Sequence, residues 1–197
     1  MSYTETLSRL VNADYADATP EERAAAVRDL VSLSSVTAAA LAIQPIPLLD
    51  VVLIIPLQIA LVQGIGRVYG HRLDQKSVIE MLGTFGAGIV AQNVMMAAAK
   101  FVPFAGWIAA SAMAYALTYA IGEVADHYFR TGRGVPPDEL RAMFRKLYSE
   151  KKTERETAMR SAPSLKERLE QLNEARAAGL IDDAEYERKK QEILAAL

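Results

Sequence analysis

Apolar positions along this chain fall into long blocks. From Val31 to Gly66 the one charged side chain is Asp50, and from Met81 to Gly122 it is Lys100, whereas the chain beyond Arg130 is dense in Glu, Lys and Arg. Within the blocks the apolar spacing is helical, β-branched runs are short and alanine is frequent, so the pattern predicts an all-α protein. A short amphipathic helix around Leu7, Leu10 and Val11 precedes a break at Asp17-Ala18-Thr19-Pro20. Thr19-Pro20-Glu21-Glu22 then opens the first long helix, with Thr19 as cap, Pro20 in the first turn and Glu22 reaching back. That helix runs through Val27, Leu30 and Val31 to Ile43. It stops at Gln44-Pro45-Ile46-Pro47, because proline lacks the N–H and restricts the residue before it.

A second helix, Leu48 to Tyr69, is the most apolar piece, with a mean hydropathy of about 2 per residue, in the range of a membrane span. Apolar periodicity continues on both sides of Pro56, so this proline should kink the helix rather than end it. After the polar turn Gly70 to Asp74, a third helix is expected from Gln75 to Lys100 and a fourth from Phe104 to Phe129. Pro45 and Gly64 recur 58 positions later as Pro103 and Gly122. The expected fold is two apolar helical hairpins forming a four-helix core (residues 20–134) after a polar lead-in (1–19). A charged helix and hinge follow (135–163), then a C-terminal helix-turn-helix (164–197). In that last piece Gly179 ends one helix and Asp182 caps the next, with Glu185 three residues on. The later turns of the charged helix, Glu150 to Arg160, read as a solvated extension.

The chain has 197 residues, a formal net charge of −2, no cysteine and two histidines. The length suffices for a buried core. Absence of cysteine rules out disulfides and Cys-ligated metal, and the charge balance argues against nucleic acid as the main partner. No basic segment precedes an apolar one at the N-terminus, so a cleavable signal peptide is not expected. Three of the four apolar helices, at 48–66, 81–99 and 104–122, have about 19 uncharged residues, the length of a membrane span, and the first reaches that length only with Arg28 and Asp29 near the interface. Arg23, Arg28, Arg67, Arg72, Lys76, Arg130 and Arg133 would then share one side, as cytoplasmic loops do. Two readings stay open: hairpins inserted in the inner membrane with both termini cytoplasmic, or an alanine-rich bundle in water. In either setting small residues permit close helix approach at Ala105, Ala109, Ala112, Ala116 and Ala120, and at Gly83 and Gly86. Self-association is therefore expected through these faces. The apolar side of the tail, Leu169, Leu172, Tyr186, Ile193 and Leu194, is expected to dock onto another copy, a partner or the bundle, because so short a helix pair rarely folds unaided.

Candidate chemistry is sparse. No phosphate-binding Gly-x-x-x-x-Gly-Lys-Ser/Thr loop, nucleophile elbow or metalloprotease motif is present. His71 and His127 read as a surface residue or a helix cap ahead of a metal or acid–base site. Asp50 reads as the N-cap of the second helix ahead of a proton or ion role. Glu123 and Asp126, one turn apart, are expected at the hairpin base facing Arg67 or Arg72. Tyr115 and Tyr119 are expected as packing aromatics.

Pro45-Ile46-Pro47-Leu48-Leu49-Asp50, then Leu57-Gln58 and Tyr69-Gly70, resembles the GTPase-associated, YcjF-like domain family of unknown function. That family's second half carries a Val-Pro-x-x-Gly turn and a Thr-x-x-x-Gly helix ending in an aromatic pair. These correspond here to Val102-Pro103 with Gly106, Thr118 with Gly122, and Tyr128-Phe129. The resemblance covers about residues 39–134. Residues 164–197 are similar to the short C-terminal domain called SHOCT, through Gly179-Leu180-Ile181-Asp182, Glu185-Tyr186 and Lys189-Lys190. The resemblance implies a bacterial, membrane-associated or oligomerising module without assigned chemistry, and a GTPase partner on another chain. The expected function is a non-enzymatic, membrane-associated module with no cofactor, which self-associates and recruits partners through its tail. The alternative is a soluble oligomeric scaffold or GTPase effector in the cytoplasm.

Overall fold

The computed structural model describes residues 15–42, 49–85, 106–161, 165–177 and 179–195. Seven helices and no strand occur among them: α1 (Pro20–Ala42), α2 (Leu49–Val68), α3 (Gln75–Phe85), α4 (Gly106–Arg130), α5 (Pro137–Ser161), α6 (Leu165–Ala177) and α7 (Asp183–Ala195). The chain divides into two compact units, Met1–Thr157 and Ala158–Leu197. The protein is all-α, as the periodicity predicts. The expected helix at Leu7 to Val11, the tips at Pro45-Pro47 and Pro103, and the continuation of the third helix to Lys100 lie outside the described residues.

Local chemistry explains where the helices begin. The Thr19 amide donates to Glu22 Oε2 at 2.8 Å, and the Glu22 amide donates to Thr19 Oγ1 at 3.2 Å. This reciprocal pair satisfies two amides that the first turn of a helix leaves without partners. The Ser77 amide donates to Asp74 Oδ1 at 2.8 Å in the same manner at the start of α3. Pro56 lies inside α2, which continues through it. Asp50 is the second residue of α2 rather than its N-cap, because the helix is already under way at Leu49.

Helices α1, α2 and α4 form the centre of the first unit. Leu30 and Val31 from α1, Leu61, Val62 and Ile65 from α2, and Leu117, Ile121 and Val124 from α4 are all at most 2% exposed. Val78 of α3 and Leu140 and Phe144 of α5 complete this core. A second, smaller cluster nearer the N-terminal end of α4 packs Ala38 and Ala42 against Ile54, Ala110, Met113 and Ala114. The thinnest point is at Gly122: a methyl group there would lie 2.6 Å from Val31 Cγ2 and 3.3 Å from Leu61 Cδ2, so α1 and α4 approach at a distance that only glycine permits.

Polar contacts fix the helix directions. Gln58 pairs with Thr118, and Tyr69 with Asp126, so α2 and α4 run parallel. Ala39 meets Ser111 and Val31 meets Gly122, so α1 runs antiparallel to both.

In the second unit, α6 and α7 form a hairpin turned by Gly179 at φ +70°. The Glu185 amide donates to Asp182 Oδ1 at 2.7 Å, the expected cap of α7.

Candidate functional site

Two residues that the family resemblance singled out form a side-chain pair buried in the core between α2 and α4. Gln58 (2% exposed) donates from Nε2 to Thr118 Oγ1 (fully buried) at 3.3 Å, tying the middle of α2 to the middle of α4. Each would be an unsatisfied polar group without the other, so the pair specifies one register between these helices. Gly122, also singled out, marks the α1–α4 contact described above. Gly70, at φ +79°, takes the left-handed turn after α2, where its amide donates to the Arg67 carbonyl at 2.9 Å. Gly106 opens α4. Pro45, Pro47, Pro103, Gly86 and Ala105 lie outside the described residues.

The base of the bundle gathers ionisable side chains. The Tyr69 hydroxyl donates to Asp126 Oδ1 at 2.6 Å, and Arg130 Nε approaches Asp126 Oδ2 at 3.3 Å. Burial, together with the carboxylate, pushes the Tyr69 hydroxyl up to about 12. Glu123, one turn earlier, is shifted upward by burial and then by the Asp126 charge. Asp126 is thus met by Tyr69, which follows α2, and by Arg130, one turn further along α4 itself. His127 Nε2 sits 3.7 Å from Glu139 Oε1 on α5, and the His71 ring packs at 5.4 Å against Phe129. The two histidines therefore have separate partners. Among the described residues no three of His, Asp and Glu gather into a group suited to a metal ion. An open groove of about 450 Å³ lies between α3 and the α4–α5 turn, lined by Leu73, Glu80, Tyr128 and Arg133 among others.

The later turns of α5, expected as a solvated extension, hold no buried residue, yet the helix keeps contact with the bundle. It lies antiparallel along α4: Glu139 faces His127, Lys151 lies over the Tyr119 ring at 5.1 Å, and Arg155 lies over the Tyr115 ring at 4.1 Å. Cations over aromatic faces hold a helix that has almost no apolar stripe in these turns. Tyr148 on α5 is half-buried, and burial pushes its hydroxyl up to about 12.

The small-residue positions divide. Ala112, Ala116 and Ala120 are at most 1% exposed, covered by the chain itself, and Ala109 is half-buried. Ala112, Ala116 and Ala120 therefore serve close packing within the bundle. Gly83 is exposed, with no described atom close to the place of its missing side chain. In the second unit Leu172 and Tyr186 are buried in the hairpin, Leu169 is half-buried, and the Tyr186 hydroxyl donates to Asn173 Oδ1 at 2.7 Å. The side chains of Ile193 and Leu194 lie outside the described residues.

Residues 7–153 match the family described as Domain of unknown function (DUF697), and the chain belongs to it. The match takes in α1 and most of α5, beyond the 39–134 of the resemblance. Residues 167–194 match the Short C-terminal domain, SHOCT. Neither family carries an assigned activity. The chain is similar to Magnetosome membrane protein 22 of Magnetospirillum gryphiswaldense, 26% identical over 141 residues, which cover 64% of this chain and 72% of that protein. No solved structure matches the chain. Among the described residues two helices, Pro20–Ala42 and Ile108–Arg130, are long and apolar enough to cross a membrane by length and composition.

Proposed function

We propose that this protein is a non-enzymatic, membrane-associated helical module that enters the bilayer from the cytoplasmic face of a bacterial inner membrane. The observation that carries this reading is the placement of exposed apolar bulk. Val36, Leu53 and Ile55 are each about 40% exposed, and all three lie where α1, α2 and α4 carry no charged side chain but Asp50. A surface of large aliphatic side chains without an interspersed charge is costly in water and at home in lipid. The relative's designation as a magnetosome membrane protein supports the same reading. The charged tail, ending in the SHOCT hairpin with Leu180 77% exposed, is the part suited to protein partners, including a GTPase on another chain.

Fractionation of native cells tests membrane association. The protein is expected to stay with membranes through a high-salt wash and to leave them with detergent; recovery in the soluble fraction without detergent would overturn the reading. One observation favours a second reading, in which the same exposed surface closes against further copies in water. The apolar window of α4 is 72% buried within the chain, as in the core helix of a soluble protein. A monodisperse multimer purified without detergent selects that reading.

A further inference from the structure

We infer that the outer half of α5, from Ser149 to Thr157, is an autoinhibitory strap: docked on α4 it keeps lipid from one flank of that helix, and it lifts when the protein enters a membrane. This rests on the membrane reading and supplies a conformational step for it.

The two halves of α5 are held in different ways. The first is anchored by apolar burial: Leu140 and Phe144 are at most 2% exposed, and Phe144 stacks on the half-buried Tyr148 at 6.2 Å. From Ser149 to Thr157 no residue is buried. This stretch meets α4 through long charged side chains, with Lys151 over Tyr119 and Arg155 over Tyr115. Lys151 is shared with Glu154 of its own helix, whose carboxylate it reaches at 2.6 Å. Cation–aromatic contacts at partly exposed sites are weak one by one, and so short a helical stretch gains little stability of its own. Firm attachment gives way to loose attachment just after Tyr148, which sets the hinge there.

What the strap covers gives its release a meaning. Helix α4 is apolar enough from Ile108 to Arg130 to cross a membrane. Beside it, the stretch from Glu150 to Glu156 carries six charged side chains in seven positions, each costly in hydrocarbon. With these in place, the flank of α4 that bears Tyr115 and Tyr119 is closed to lipid. Docked α5 and lipid contact on this flank therefore exclude one another. Once the strap lifts, the flank offers two tyrosine rings and, two turns before Tyr115, Ile108: an apolar surface with hydroxyl tips, of the kind that settles at a bilayer interface. The lifted charges keep partners within α5, Lys151 with Glu154 and Lys152 with Glu156 at 3.8 Å.

The chain has no native cysteine, so paired thiols report the docking directly. One pair, Tyr119→Cys with Lys151→Cys, bridges strap and α4 and leaves the Arg155–Tyr115 contact in place. The reciprocal pair, Tyr115→Cys with Arg155→Cys, repeats the measurement with the other ring intact. A third pair, His127→Cys with Glu139→Cys, bridges the anchored half of α5 to α4. Each full-length chain is made by cell-free synthesis, without lipid or with phosphatidylcholine–phosphatidylglycerol vesicles that are then floated, and is treated with a short bismaleimide. All three pairs should cross-link without lipid. On floated vesicles the yield of the strap pairs should fall about fivefold or more, while the anchored pair stays within about twofold. An undiminished strap yield on floated vesicles shows α5 docked on the membrane; it overturns this inference and leaves the membrane reading standing. Strap pairs that fail to cross-link without lipid while the anchored pair does so also overturn it, as does an equal fall of all three on vesicles. A chain that does not float with the vesicles overturns both.

Discussion

Gly122→Ala is the most informative single change in the core, because two opposed effects of known size meet there. Replacing glycine by alanine inside a helix stabilises it by about 1 kcal/mol. Here the new methyl group would lie 2.6 Å from Val31 Cγ2 and 3.2 Å from Val31 Cγ1, with Leu61 Cδ2 behind at 3.3 Å. Val31 is β-branched, held to one rotamer in a helix and 1% exposed, so it has nowhere to turn. Overpacking of this kind costs about 1–3 kcal/mol, which exceeds the propensity gain. In a Val31→Ala background both Cγ atoms are gone, and the same Gly122→Ala change should then stabilise by about 1 kcal/mol. Thermal unfolding of the four chains, followed by circular dichroism in one buffer and detergent, measures the coupling. Each kcal/mol corresponds to roughly 2–4 °C in Tm at this size. The expected result is a fall in Tm for Gly122→Ala alone and a rise for the same change on Val31→Ala. Equal shifts in both backgrounds would refute the close α1–α4 contact.

Tyr69→Phe removes the donor to Asp126 and should cost about 1 kcal/mol, less than a fully buried charged bond because the site is partly exposed; an unchanged Tm in the same assay would count against that bond. Glu123→Gln should act through pH. Burial raises this acid, so the folded state holds its proton more tightly than the unfolded chain, and wild-type stability falls as pH rises from the unfolded value through the folded one. The glutamine variant should therefore be the more stable at pH 7, with the gap closing below the unfolded pKa; a gap that persists or widens in acid would contradict the shift. Arg133 is held at φ +66°, beside Gly132 at +79°, so Arg133→Gly should stabilise by about 1 kcal/mol, and a loss of stability would show that its side chain matters more than its backbone.

What was legible in the sequence is what local rules govern. The reciprocal cap at Thr19 and Glu22, the continuation of α2 through Pro56 and the cap at Asp182 each depend on residues within one or two turns, and each is where the pattern places it. The position of α5 was not legible, because the apolar periodicity used to find packed helices is missing from its later turns. A different signal was present: Tyr115 and Tyr119 are four apart on α4, and Lys151 and Arg155 are four apart on α5, a spacing that lets two cations cover two rings at once. Gln58 and Thr118 entered as motif residues, but sixty positions separate them, and only the parallel course of α2 and α4 makes them partners. The alanine stripe was visible, yet spacing alone does not say whether small residues meet a helix of the same chain or of another.

The directions of the helices carry a consequence for symmetry. Glu21 and Glu22 stand at the start of α1, Arg67 in the last turn of α2, and His127 and Arg130 in the last turn of α4, all at one pole. The last turn of α1 has no basic residue and the first turn of α4 no acidic one, so these two helix ends at the opposite pole lack compensating charge, whereas α2 has Asp50 as its second residue. A molecule with two such unlike poles meets a flat boundary between oil and water one way up. In the membrane reading, copies in the same sheet of lipid would be related only by rotations about its normal, which permits closed rings and excludes pairs related by a two-fold axis lying in the plane.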